Sequence, residues 1–135
     1  MIKKYPNSNV YAIDLIDMEP IEGVTFFKDS IENLYNLEEI LKLKGCFKLV
    51  ISDIAPNLSG ISAVDSENIL NLNMLTVKIA NDFLDSSGSM IMKTFQNSNL
   101  KTLRKNMELS FKLVQTYKPA ASKKQSGEIY LYGVK

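Results

Sequence analysis

Residues 111–133 read FKLVQTYKPAASKKQSGEIYLYG, and this stretch decides the fold. Two apolar and aromatic runs, 111–116 and 128–133, flank a polar loop, 117–127. No helical spacing intervenes, so the two runs form an antiparallel pair. Upstream the rhythm differs. Residues 10–14 (VYAID), 24–27, 47–53 (FKLVISD) and 89–95 (SMIMKTF) are short strand-like runs. Residues 31–44 carry Leu34, Leu37, Ile40 and Leu41 at helical spacing, and residues 64–84 carry Ile69, Leu72, Leu75, Ile79 and Phe83. Residues 85–88 read as a polar turn and 100–109 as a short basic helix. Strands alternating with helices build a parallel sheet. The expected fold is α/β, a mostly parallel sheet closed by an antiparallel C-terminal strand.

Composition narrows the chemistry. The 135 residues are 45% apolar and 23% charged, enough for one globular domain over residues 1–135. No apolar run approaches the ~18 residues that span a bilayer. The opening MIKKYPNSNVY lacks the apolar region of a secretory signal. One cysteine, Cys46, allows no intrachain disulfide, and a cytoplasmic setting is expected. Cys46, at the start of an apolar run, reads as a core residue. Histidine is absent. Serine–histidine and cysteine–histidine catalysis are thereby excluded, and no metal site is expected. Acid–base work falls to Lys, Asp, Glu or Tyr. The net charge of +1 does not announce a nucleic-acid binder. Arg104 is the single arginine, so phosphate contacts would rest mainly on lysines, which lack its bidentate fork.

Four ionisable residues stand out by position. Asp14 and Asp53 end strands, Lys93 sits inside MIMKTF, and Glu128 opens the last strand. Ligands of open α/β sheets bind beyond the carboxyl ends of the parallel strands, and an antiparallel last strand begins at that edge. Each residue also has a plainer reading. Asp53 can cap a turn, Lys93 can reach water along its stem, and Glu128 can be a solvated strand start. Ser52, Ser59 and Ser62 suit turns, and Tyr130 and Tyr132 an exposed sheet face. A lysine between two carboxylates can receive a proton from a hydroxyl nucleophile or stabilise its developing charge. Asp14 suits ribose hydroxyls.

The order of elements is that of Rossmann-like methyltransferases, and the motifs sharpen this. AIDLIDMEPI (12–21), SDIAPNLSG (52–60), MKTFQ (92–96) and KPAASKKQSGEIYL (118–131) resemble, in order and spacing, the FtsJ-type (RlmE-like) ribosomal RNA 2′-O-methyltransferases. The resemblance implies S-adenosyl-L-methionine as cofactor. It implies as substrate a uridine ribose 2′-hydroxyl in large-subunit (23S) ribosomal RNA, free or in the large ribosomal subunit. It implies catalytic roles for Lys93, Asp53 and Glu128, and cofactor contacts from Asp14 and Asp53. Asp29 fits the adenine-contacting acid by a one-residue shift. Lys118, Lys123 and Lys124 become RNA-contact candidates. The family pattern also has an upstream lysine, a first strand that is central in the sheet, and a Gly-rich cofactor loop. No matching motif occurs here. The expectation is therefore a shortened domain whose missing central strand leaves free strand edges, through which chains can self-associate. An inactive remnant or RNA-binding fragment, and a methyltransferase of tRNA or of the mRNA cap, are the alternatives.

Overall fold

The computed structural model describes residues 7–120 and 127–135. The chain divides into two compact units, Met1–Lys42 and Leu43–Lys135.

In the first unit, β1 (Val10–Asp14) and β2 (Val24–Lys28) pair in parallel, from Val10 opposite Val24 to Asp14 opposite Lys28. Gly23, at φ 83°, supplies the turn conformation that leads into β2. Beyond β2 a single helix is expected, but the chain breaks it into two pieces. Ser30 caps a 3-10 helix, Ile31–Asn36, by accepting the Glu32 N–H. Leu37 then turns extended (φ −90°, ψ 99°) before the four-residue α1 (Glu38–Leu41). Local side-chain bonding competes with the helix here, since the Asn33 amide donates to Asp29 at 2.8 Å. Of the expected apolar residues Leu34 and Ile40 are buried and Leu37 and Leu41 half-buried, and Ile31 is buried with them.

The second unit is a four-stranded sheet covered by helices. Its strands are β3 (Phe47–Ser52), β4 (Leu84–Phe95), β5 (Leu113–Tyr117) and β6 (Glu128–Val134), in the order β3-β4-β6-β5. β3 is parallel to β4, while β6 is antiparallel to both β4 and β5. Three strands therefore run one way and the last runs against them, as the hairpin reading requires. The helices are α2 (Ser62–Phe83) and α3 (Leu100–Glu108). Val77, Ala80, Leu84, Met90, Met92, Leu103, Met107, Phe111 and Leu131 form the core. Along β4 and β6 these inward residues alternate with Ile91, Lys93, Tyr130 and Tyr132, the period of two that a pleated strand imposes. Tyr130 and Tyr132 are half-buried rather than exposed. On α2 the buried stripe runs through Asn73, Thr76, Val77 and Ala80, whereas the expected Leu72 and Leu75 are half-buried.

The polar turn at 85–88 lies inside β4 as a bulge. Phe47 pairs with Leu84, but Leu49 already pairs with Ser89. The Asp85 carboxylate accepts the Ser87 N–H at 3.0 Å, closing the loop of extra residues. Lys48 forms an ion pair with Asp85. Because β4 starts directly at the end of α2, the last carbonyls of that helix need outside donors. The Lys135 ammonium donates to Asn81 O at 2.6 Å and Leu84 O at 3.1 Å, and the Lys135 N–H to Gly88 O at 2.9 Å. Cys46 is exposed, contrary to the core expectation. It stands just ahead of β3, after Gly45 at φ 73°, where the turn points it outward.

Each of β1 and β3 pairs on one side only among the described residues, so each presents an open edge. At the opposite side of the larger sheet, the Arg104 guanidinium bonds Thr116 Oγ1 and Val114 O, occupying a backbone acceptor of the edge strand β5.

The bulge gives a test of the packing. A Cβ on Gly88 would come within 2.8 Å of Leu84 Cδ2 and 3.0 Å of Phe47 O, a backbone atom that cannot swing aside. Gly88→Ala should destabilise the fold by about 1–3 kcal/mol, as overpacking does, measured by urea unfolding; an unchanged midpoint would contradict this packing.

Candidate active site

The register of the larger sheet assembles the site. Ser52 pairs with Met92 across the parallel β3–β4 ladder, so the next residue of each strand is Asp53 beside Lys93. Lys93 pairs with Tyr130 and Phe95 with Glu128 across the antiparallel β4–β6 ladder. Side chains two apart share a face, so Lys93 and Glu128 lie diagonally on the same side. The Lys93 ammonium reaches Asp53 Oδ1 at 2.6 Å and Glu128 Oε1 at 3.9 Å. The lysine side chain is 24% exposed, against 69% for Asp53 and 42% for Glu128. The ladder is held to its end by the Gln96 N–H, which donates to Gly127 O at 2.7 Å.

The electrostatics follow from this geometry. The hydrogen bond that Lys93 donates to Asp53 raises the Lys93 pKa above the ordinary lysine value, with Coulombic attraction to Asp53, Glu128 and Tyr130 adding to it and partial burial opposing it. Lys93 is therefore an ammonium at neutral pH. It can donate to an oxygen brought between the two carboxylates and stabilise negative charge developing there.

The segment after Asp53 is fastened by a residue that sequence reasoning did not single out as a site residue. Asp65, in the first turn of α2, accepts Ser59 N and Ser59 Oγ, both at 2.7 Å, and Gly60 N at 3.1 Å. These bonds lower its pKa, the Ser59 backbone N–H contributing most. Gly60, at φ 84°, supplies the turn. The signal was present in Ser59-Gly60 followed by an acid at the start of an apolar helical stretch, a relative of the capping box. Leu58, Ile61 and Val64 of this segment are exposed. Below it, among the described residues, Ser52 Oγ is a buried polar atom with no partner.

The remaining candidates lie elsewhere. In the first unit Asp14 ends β1, exposed, with Oδ1 accepting the Ile16 N–H at 3.0 Å. Asp29 follows β2, its N–H donating to Asp14 O at 3.0 Å. Its Oδ1 accepts from Ser30 N and Asn33 Nδ2, at 2.7 and 2.8 Å. Lys118 is exposed just after β5. Lys123 and Lys124 lie outside the described residues. Among the described residues no helix is long and apolar enough to cross a membrane.

Comparisons with known proteins bear on the family and the fold. The model of a family described as FtsJ-like methyltransferase matches residues 1–135. A ribosomal RNA large subunit methyltransferase E of Polaromonas naphthalenivorans is 41% identical over 133 residues, covering 94% of this chain and 54% of the relative. The protein of the same name from Variovorax paradoxus is 37% identical, covering 95% and 59%. The chain thus spans little more than half the length of these relatives. Among solved structures, a Plasmodium falciparum protein described as a ribosomal RNA methyltransferase superposes with a TM-score of 0.80 at 27% identity, over 98% of this chain and 76% of its own. A Streptococcus mutans protein described as a methyltransferase, solved with SAH, shares the fold at a TM-score of 0.58 and 13% identity, over 93% and 70%.

Lys93 and Asp65 titrate with opposite sign. Lys93 contributes stability below the ordinary lysine value of 10.5 that is lost as pH rises through its folded value. Asp65 contributes stability above the ordinary 3.8 that is lost as pH falls through its folded value. Asp65→Asn should accordingly lower the melting temperature at neutral pH and have little effect in strong acid, where the parent carboxyl is already protonated. Equal losses at both pH values in thermal melts would remove Asp65 as the anchor of this segment.

Proposed function

The chain belongs to the FtsJ-like methyltransferase family, and from that premise we propose that residues 1–135 act as one methyltransferase domain on ribosomal RNA. The reaction is transfer of a methyl group from S-adenosyl-L-methionine to the ribose 2′-hydroxyl of a uridine in the large-subunit (23S) RNA. The observation that carries this reading is the Lys93 ammonium, seated 2.6 Å from Asp53 and 3.9 Å from Glu128. The curated relatives are named as methyltransferases of the ribosomal RNA large subunit.

The donor set suits the cofactor. Asp14 offers an exposed carboxylate at the end of a parallel strand, with one oxygen committed to the Ile16 N–H, and a carboxylate there accepts from ribose hydroxyls. Asp29 directs Oδ1 to its own turn, so its part is to shape that strand end as well as to contact a ligand. Asp53 is largely exposed and carries negative charge suited to a cationic group. When bound, the cofactor supplies an activated methyl group on a positively charged sulfur.

The protein's share of the chemistry is positioning and charge. Asp53 and Glu128 hold the Lys93 side chain on one sheet face, and its ammonium donates to the attacking hydroxyl oxygen. That bond orients the oxygen lone pair and stabilises the charge that grows as the hydroxyl proton departs. The facing carboxylates and water are the acceptors for that proton. Exposed Lys118, with Lys123 and Lys124, contributes phosphate contacts. The setting is cytoplasmic, and the open edges of β1 and β3 provide for self-association.

Calorimetric titration of S-adenosyl-L-methionine into the chain, followed by methyl transfer to large-subunit RNA, tests this reading. Binding and 2′-O-methylation of the RNA are expected. Lys93→Ala should keep the fold and cut transfer by about 100-fold or more, the range of a positioned acid–base group. Transfer undiminished in Lys93→Ala, or methyl incorporation at a base instead of a ribose, would overturn it.

A further inference from the structure

The core beneath Lys93 is not uniformly apolar. Asn73, on the buried stripe of α2, donates from Nδ2 to Thr94 Oγ1 at 2.7 Å. Both residues are nearly inaccessible, at 2% and 3% exposure. The bond spans the helix–sheet interface between residues 21 apart in sequence. It faces a small space lined by Ile69, Leu70, Leu100 and Leu103, with Ser66, Asn97 and Asn99 at its polar side; there Asn99 is engaged by Asn97 and by Ser66 O. Thr94 immediately follows Lys93 on β4 and points to the opposite face.

Three consequences follow from that placement. Rotation or sliding of α2 strands a buried amide and a buried hydroxyl, each costing about 1–3 kcal/mol, so the bond selects one register of helix on strand. With the inward direction of Thr94 fixed, the outward direction of Lys93 is fixed as well, since successive side chains alternate. The same helix carries Asp65 at its start, which fastens the Ser59–Gly60 turn downstream of Asp53. The Asn73–Thr94 bond thus ties α2 to the end of β4 that carries Lys93, and the Asp65 bonds tie the same helix to the segment that follows Asp53.

We propose that Asn73 and Thr94 are positioning residues, whose buried hydrogen bond locks α2 against β4 and so holds the Lys93 ammonium on Asp53. The proposal rests on the reading of Lys93 given above, but its readout does not require methyl transfer. The groups facing Lys93 are Asp53, Glu128 and Tyr130. Asn73 and Thr94 face away and carry no charge, so their effect passes through geometry alone.

The test is nitrogen-detected NMR of lysine ammonium groups in the full chain, with the Lys93 signal assigned by its loss in Lys93→Met. An ammonium held in an ion pair exchanges its protons slowly enough to be seen. Thr94→Ser keeps the hydroxyl and should keep the slow exchange. Thr94→Val and Asn73→Leu should accelerate exchange several-fold while the core amide spectrum persists. The double variant Asn73→Leu/Thr94→Val replaces the pair by an apolar contact, stays folded, and should exchange as fast as the single variants. If the double variant or either single one keeps the parent exchange rate, the bond is merely structural and the proposal fails. A fast-exchanging Lys93 in the parent, unaffected by Asp53→Asn, would instead reject the ion pair itself.

Discussion

A cation inside a strand of the hydrophobic sheet is the constraint around which this molecule is arranged. Lys93 lies between Met92 and Thr94, both almost fully buried. Its half-buried side chain carries the charge outward, where the adjacent parallel strand ends in Asp53 and the adjacent antiparallel strand begins with Glu128. That convergence requires the mixture of strand directions. A parallel neighbour delivers a carboxylate from its carboxyl end, and an antiparallel one delivers a carboxylate from its amino end, both to the same point. A wholly parallel sheet would have placed the amino end of β6 at the other rim.

Much of this was legible in the sequence, and the reasons are specific. β3 and β6 emerged, to within one residue at their ends, from the runs FKLVISD and EIYLYG, where period and turn residues agree. The Asp53–Lys93–Glu128 grouping emerged from topology, because strand-end residues of neighbouring strands must meet once the strand order is known. What was not legible depends on tertiary detail. Asn73 looks like an ordinary polar residue until α2 is docked and its face becomes the buried one. The helix expected over residues 31–44 fails because Asn33 bonds Asp29 and Leu37 turns extended, an outcome of local competition that apolar spacing does not encode. Cys46 lies outside the core through the conformation of Gly45 rather than its own chemistry.

The two sheet sides are treated unequally. On β5 the Arg104 guanidinium covers Val114 O, and charge at an outer strand discourages further pairing. β3 carries Ile51, 61% exposed, and has β4 as its partner on one side only among the described residues. Single arginine usage gains meaning here, since two nitrogens of one planar fork bond the Thr116 hydroxyl and the Val114 carbonyl together.

The β4–β6 ladder is pinned at both extremities, by Gln96 N on Gly127 O and by Lys135 N on Gly88 O. The connection between β5 and β6 therefore departs from and returns to anchored backbone. Loop closure depends only weakly on length, so that connection can lengthen, shorten or change composition while Lys93 and Glu128 keep their spacing. The spacing of Lys93 and Glu128 is in this sense separable from the connection that follows β5: the one can drift without a cost to the other.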